Sequence, residues 1–241
     1  MSRSLTHLVL IPSYNPGGIL RATVSEALAA WSPVWVVADG STDRSHEGLE
    51  ALPGASEGLR VIVRAQNGGK GAAVRTGAEA ALAAGFTHAL VMDADGQHPA
   101  NRIAAFMDSS AAAPGAVISG RPAFGPEAPA VRLAGRKLSV ALVHFETGGR
   151  GPADPLFGFR VYPLAPLIRA MDRTRTGRRY DFDPEMAVRL AWDGVPSVDL
   201  DAACRYLDRE QGGVSHFRYV RDNLGMIRLH TRLLLERWAR R

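Results

Sequence analysis

The 241-residue sequence predicts an α/β fold, with a parallel sheet covered by helices on both faces. Three observations carry this. Short β-branched runs alternate with alanine-rich stretches of helical length in the first half of the chain. The runs are apolar along their whole length, as strands buried on both faces must be. Three of them also stop abruptly at polar, turn-forming residues.

In chain order, residues 7–11 (HLVLI) read as a buried strand closed by Pro12, Ser13, Tyr14 and Asn15, and residues 19–31 as a helix. Residues 34–38 (VWVVA) form a second strand that stops at Asp39-Gly40-Ser41-Thr42-Asp43. Residues 59–64 form a third, 71–85 a helix, and 87–92 (THALVM) a fourth strand ending on Asp93. The second half is less regular. Helices are expected over 132–146 and 184–192, strands over 157–162 and 195–200, and loops at 111–115, 122–129 and 148–155. A long helix is expected from residue 215 onward. In open parallel sheets ligands bind at the carboxyl ends of the strands. The three polar strand ends therefore predict one site at the top of the sheet.

Composition narrows the function classes. The net charge of +5 comes from 29 basic and 24 acidic residues, and all of the excess lies in residues 205–241. A chain balanced over its first 204 residues is not one that coats nucleic acid. No apolar run approaches the ~20 residues of a membrane span, and residues 5–11 are too short for a signal peptide. Cys204 is the sole cysteine, which leaves no disulfide framework. A cytoplasmic protein is expected. Of the 29 basic residues only Lys70 and Lys137 are lysines.

The chemistry sits in two segments. Asp93-Ala94-Asp95-Gly96 leaves a strand with two carboxylates at i and i+2, a pair able to hold a hard divalent cation whose open positions suit phosphate oxygens. Asn67-Gly68-Gly69-Lys70-Gly71 opens a helix, where exposed backbone N–H groups favour anions. It is neither a Walker loop, since Gly71 rather than Ser or Thr follows the lysine, nor a G-x-G-x-x-G turn.

Together Ile11-Pro12-Ser13-Tyr14-Asn15, residues 36–43, residues 67–71 and Asp93-Ala94-Asp95-Gly96-Gln97-His98-Pro99 resemble the ordered motifs of family 2 glycosyltransferases with the GT-A fold. The resemblance covers roughly residues 7–100. It implies a mixed, mostly parallel sheet, a nucleotide-sugar donor, UDP- or GDP-linked, a Mg2+ or Mn2+ ion and inversion at the anomeric carbon. Pro12, Tyr14, Asn15, Lys70 and Gln97 would border the donor, Asp39 would face its base, and Asp93 and Asp95 would hold the metal. Ala38 stands where the family often has a second Asp. Asp154-Pro155-Leu156-Phe157-Gly158-Phe159-Arg160 resembles a segment of the polyprenyl-phosphate sugar synthases, with Phe157 replacing a serine. Gly213-Val214-Ser215-His216 resembles another of their elements, with His216 replacing a lysine, and the tail resembles small bacterial enzymes of aryl-polyene lipid assembly. Arg121, Arg132, Arg136, Arg160, Ser215 and His216 would then meet a lipid-linked acceptor.

Asp183-Pro184-Glu185 resembles the family stretch whose Asp deprotonates the acceptor, with Asp181 the second candidate base. Asp before Pro is equally the pattern of a helix N-cap with proline at the first helical position. An acceptor that is already an ionised phosphate would need no base. The same strand-Asp-x-Asp-Gly pattern also belongs to haloacid-dehalogenase-like phosphatases, with Asp93 as nucleophile, although there Thr or Val follows the Gly and here Gln97 does. A catalytically idle membrane-surface module is a third class.

On a helix, Arg218, Arg221, Arg228 and Arg232 share an ~80° arc beside a stripe of Phe217, Val220, Leu224, Ile227, Leu234 and Trp238. Such a helix either covers a core or lies on an anionic membrane surface. Residues 1–204 are expected to form the transferase domain. Residues 205–241 would be a basic amphipathic segment, part of that domain or membrane-facing on the inner face of the cell membrane.

Overall fold

The structure, a computed structural model, describes residues 3–124, 130–174, 179, 181–205 and 219–240, with side chains described except at 124, 130–135 and 219–223. Seven strands form one sheet: β1 (His7–Ser13), β2 (Val34–Asp39), β3 (Leu59–Arg64), β4 (His88–Val91), β5 (Val117–Phe124), β6 (Arg160–Pro163) and β7 (Ser197–Cys204), in the order β3-β2-β1-β4-β6-β5-β7. Every pairing is parallel except the two made by β6, which runs antiparallel to β4 and β5. The first half is therefore the parallel array expected, and one reversed strand makes the whole sheet mixed.

Among the described residues eight α-helices surround it: α1 (Ile19–Ala30), α2 (Ala55–Gly58), α3 (Lys70–Ala83), α4 (Ile103–Ala112), α5 (Ala130–Thr147), α6 (Leu164–Asp172), α7 (Phe182–Trp192) and α8 (Tyr219–Ala239). Side-chain alternation along β1 divides the core into two layers. Val9 and Ile11 pack with Leu20 and Val24 of α1 and Ile103 and Phe106 of α4. Leu8 and Leu10 pack with α3, α6 and α7 on the other face. At Gly77 of α3 an added Cβ would stand 2.3 Å from Leu10 Cδ1, so only glycine lets this helix approach the sheet so closely.

Four elements were not expected, the four-residue α2 among them. The loop expected at 122–129 begins inside β5; β6 pairs only with Ile118 and Ser119, so Pro122 stands past that ladder. Helix α4 buries Ile103, Phe106, Met107 and Ser110, an i, i+3, i+4, i+7 stripe. Helix α6 carries Pro166 in its first turn, where no intrahelical N–H partner is lost.

Helix α8 docks through its Leu229–Leu233 side. Those leucines join Val143 of α5 and Ala187 and Val188 of α7 in a third apolar cluster. Glu185 of α7, fully buried, accepts from Arg189 at 2.8 Å and from Arg232 of α8 at 2.5 Å. His230 of α8 meets the buried Glu146 of α5 at 2.9 Å. The expected arginine face is thus divided. Arg232 turns inward and Arg228 faces solvent; Arg218 lies outside the described residues, as does the side chain of Arg221.

At the opposite end of the sheet, His7 and His88 stack with ring centroids 4.4 Å apart. His7 bonds Ser110 at 3.1 Å, and burial, with the neighbouring His88 ring, pushes its pKa down to about 4. Between pH 6.5 and 4 the unfolded chain binds a proton that the folded chain refuses, so stability falls as pH falls through that window. Chemical denaturation should show wild type losing about 2 kcal/mol more than a His7→Asn variant between pH 7 and pH 5. Equal losses would contradict the assignment.

Candidate active site

The site is built on three strand ends. Asn15, with φ 45°, accepts from the N–H groups of Thr42 at 2.7 Å and Asp43 at 3.3 Å, and the Gly17 N–H donates to Asp43 at 2.8 Å. The loop after β1 is thereby tied to the loop after β2. Pro12 lies inside β1, opposite Val37, and Tyr14 stands exposed at the rim.

Asp39, at the end of β2, is buried and held by the protein's own donors. It accepts from Arg64 Nε at 2.7 Å and from the backbone N–H groups of Gly68 and Gly69, the latter at 2.7 Å, and is 2% exposed. The anion held at the entrance of α3 is therefore a carboxylate of the protein itself, and those N–H groups do not await a phosphate. Gly40 allows the close approach: with φ +66° it leaves the Asn67 nitrogen where a Cβ would be 2.4 Å away.

What Asp39 positions is Lys70. Its Nζ lies 2.7 Å from Asp93 Oδ1 at the end of β4 and 2.7 Å from Asp183 Oδ2 in the first turn of α7. Burial opposes the charge on Lys70, but Asp183 and Asp93 more than offset this and hold it protonated well above the usual lysine range. Burial alone would raise Asp93; Lys70, His98 and Arg160 instead bring it below its ordinary value. Gly158 forms the floor, since a Cβ there would stand 2.3 Å from Lys70 Nζ.

Asp183 is not the N-cap of α7. The helix starts at Phe182 with Asp181 as the capping residue, and Asp183 sits a residue inside it with Pro184 following. Its Oδ1 is buried and has no hydrogen-bond partner among the described residues. Asp181 Oδ1 accepts from the Arg179 N–H at 2.9 Å, a local turn contact. The structure thus brings Asp183 to the aspartates of the β4 end and leaves Asp181 at the cap.

Asp95 accepts from the Gln97 N–H at 3.0 Å, and Gly96 makes the turn with φ +72°. Gln97 enters the site through its backbone, and its carbonyl accepts from the Arg205 N–H at 3.0 Å. Among the described residues Asp95 has no ion-pair partner, and burial beside the charged Asp93 raises its carboxyl to about 6. His98 Nδ1 accepts from the Asp93 N–H at 2.9 Å, and burial holds this ring neutral with a pKa of about 4. No three His, Cys, Asp or Glu side chains among the described residues are arranged to hold a metal ion. Asp93 and Asp95 nevertheless fit one: two hard oxygen donors side by side, one of them uncompensated.

The arginines expected at the acceptor are engaged by the protein. Arg160 is 1% exposed and donates to the carbonyls of Asp183 at 3.0 Å and Asp154 at 2.9 Å and to the Tyr162 hydroxyl. Deep burial makes it a clamp between the 154–160 segment and α7, not a group open to an acceptor. Arg136 grips Asp154 through bonds of 2.5 and 2.8 Å, and Arg121 pairs with Asp201 at 2.7 Å on the surface. The Arg132 side chain, Ser215 and His216 lie outside the described residues.

The roles of Gly158, His98 and Asp154 were not read from the sequence. The scarcity of lysine was the available signal for Lys70 as a bridge. A compact ammonium joins two carboxylates above a glycine floor, where a planar guanidinium is bulkier. Replacing Lys70 by Met should destabilise the fold by about 1–3 kcal/mol, because the buried Asp183 and the one-third exposed Asp93 lose their cation. Lys70→Met combined with Asp183→Asn should recover part of that loss in denaturant titrations. Additive losses would contradict the bridge.

The sequence pattern of glycosyl transferase family 2 matches residues 8–175, more than two-thirds of the chain. Among solved structures, glucosyl-3-phosphoglycerate synthase from Mycobacterium tuberculosis, in complex with Mn2+, UDP-glucose and phosphoglyceric acid, is similar with a TM-score of 0.59 and 20% identity, over 97% of this chain and 80% of that one. TarS 1–349 from S. aureus, in complex with UDP-GlcNAc, is similar with a TM-score of 0.58 and 18% identity, over 95% of this chain and 66% of that one. A search of curated proteins finds no match. At these identities the structural likeness is one of fold, and it is the GT-A fold. Pattern and fold together make the chain a glycosyltransferase, a member of glycosyl transferase family 2.

Proposed function

We propose that the protein transfers a hexose, with inversion, from a UDP- or GDP-linked sugar to a lipid-linked or polyprenyl-phosphate acceptor, with Mg2+ or Mn2+ held at Asp95 and Asp93. The observation that carries the reading is the uncompensated Asp95 carboxylate beside the Asp93–Lys70–Asp183 bridge at the carboxyl edge of the sheet. The similar M. tuberculosis enzyme holds Mn2+ with UDP-glucose, and TarS binds UDP-GlcNAc, which supports the donor class. The likeness of residues 154–160 to polyprenyl-phosphate sugar synthases supports the acceptor. Family membership leaves the phosphatase reading of Asp93 without support, and a glycosyltransferase is not an idle module.

The metal would offset charge on the departing diphosphate. The chain's own groups divide the remaining work. Lys70 neutralises Asp93 and fixes Asp183 by one oxygen, and Oδ1, without a hydrogen-bond partner among the described residues, would accept a proton from an acceptor hydroxyl. A phosphate acceptor has no proton to surrender, and Asp183 would then serve to hold Lys70. The cytoplasmic face of the membrane, where lipid-linked acceptors meet nucleotide sugars, is the proposed location.

The test incubates the protein with a panel of UDP- and GDP-sugars, Mn2+ and a lipid extract, and reads products by mass spectrometry. One sugar nucleotide should give a glycosylated lipid, and Asp95→Ala should lower metal-dependent turnover by roughly 100- to 1000-fold. Full turnover in that variant, or phosphate release from small phosphoesters without a nucleotide, would sink the reading. With the product known, Asp183→Asn separates the acceptor classes. A hydroxyl acceptor predicts a kcat loss of about 100-fold or more, a phosphate acceptor a much smaller one.

A further inference from the structure

Eleven large apolar side chains stand exposed among the described residues, and six of them lie on α5 and α8: Leu138, Phe145, Leu224, Ile227, Leu235 and Trp238. The concentration is a property of α8 in particular. At 100° per residue, Leu224, Ile227, Leu235 and Trp238 fall within an ~80° arc. Leu229 and Leu233, both buried, point the opposite way. The helix therefore has two apolar faces: one is buried against α5 and α7, and the other is open, with Trp238 78% and Leu235 69% exposed. Exposed apolar surface of this kind marks an interaction site, whereas apolar residues scattered singly need no explanation.

Among the described residues the charges around the open face are of one sign. Arg228 borders the arc and is exposed, Lys137 is exposed next to Leu138, and Arg237 lies over the Phe145 ring at 4.3 Å, where α5 meets α8. From Leu224 to Arg240 the sequence has four arginines and a single acid, Glu236, and that carboxylate is turned toward Arg189 at 3.1 Å. No described helix is long and apolar enough to cross a membrane. An apolar strip with a tryptophan, flanked by cations and carrying no outward acid, is complementary to the surface of an anionic bilayer.

We propose that the open face of α8, with Phe145 of α5 beside the helix, docks on an anionic lipid surface. The contact differs from the arginine face expected from the sequence, since Arg232 is committed to Glu185 and the apolar arc leads. The inference is independent of the reaction, because none of these residues touches the Asp93–Lys70–Asp183 site.

The test is co-sedimentation of the full chain with vesicles of phosphatidylcholine alone, or with one-third phosphatidylglycerol, at low and high salt. Binding should favour the anionic vesicles by about tenfold and weaken with salt. Leu235→Ser combined with Trp238→Ser should lower binding to anionic vesicles at least about tenfold, with unchanged thermal unfolding and unchanged hydrolysis of the sugar nucleotide in lipid-free buffer. Arg228→Gln should lower it by about fivefold. Equal or absent binding to the two vesicle types would overturn the proposal. So would a wild-type dimer in light scattering that the double variant converts to monomer, which would make the face an interface between copies. Donor hydrolysis is read without lipid, so loss of vesicle binding and failure of the transferase reading are separate results.

Discussion

A single ammonium group holds the active end of this protein together. Lys70 Nζ stands 2.7 Å from a carboxylate at the end of β4 and 2.7 Å from one in the first turn of α7, elements far apart in sequence. Asp183 alone would be a buried charge of the kind proteins avoid, and Lys70 and Asp93 are themselves partly withdrawn from water. Together they make a stable bridge, and much of the surrounding structure serves it. Asp39 fixes the backbone from which Lys70 springs, Gly158 clears the space that its head group fills, and Arg160 fastens the Asp183 carbonyl from behind.

The bridge also explains why the two aspartates of the Asp-x-Asp turn are not equivalent. Asp93 is held below its ordinary pKa by an internal cation, while Asp95 is raised to about 6 with no cation of its own. The first behaves as part of the scaffold, the second as the carboxylate that calls for an external positive charge. A balanced net charge over the first 204 residues is consistent with this. The donor's negative charge would be met through a bound cation and not by a generally basic surface.

The parallel half of the fold was legible because its strands are apolar end to end and its helices are separated by turn residues. The family motifs sit in that half. The antiparallel β6 and the Gly- and Pro-bearing β5 were less legible, because pairing partners and not local composition decide whether Pro122 stands in a strand. At the site, residue types were readable and their partners were not. Asp39 looks like a ligand contact and is a loop anchor; Arg160 and Arg136 look like acceptor contacts and are clamped on Asp154. Asp183 reads as a helix cap from its proline neighbour, whereas the cap falls two residues earlier and frees the carboxylate for Lys70. Periodicity found the amphipathic character of α8 but not which side faces the core. That choice is set by buried partners, Glu185 and Glu146, on other helices.

The most direct test of the central interaction uses the rarity of lysine in this chain. With only Lys70 and Lys137 present, an NMR pH titration of selectively labelled lysine side chains gives two resonances, assigned by comparison with a Lys70→Met sample. If the ammonium is held between Asp93 and Asp183, the Lys70 resonance keeps its protonated shift as the pH passes the ordinary lysine range near about 10.4. Loss of its proton at or below that range would contradict the bridge and the division of labour built on it.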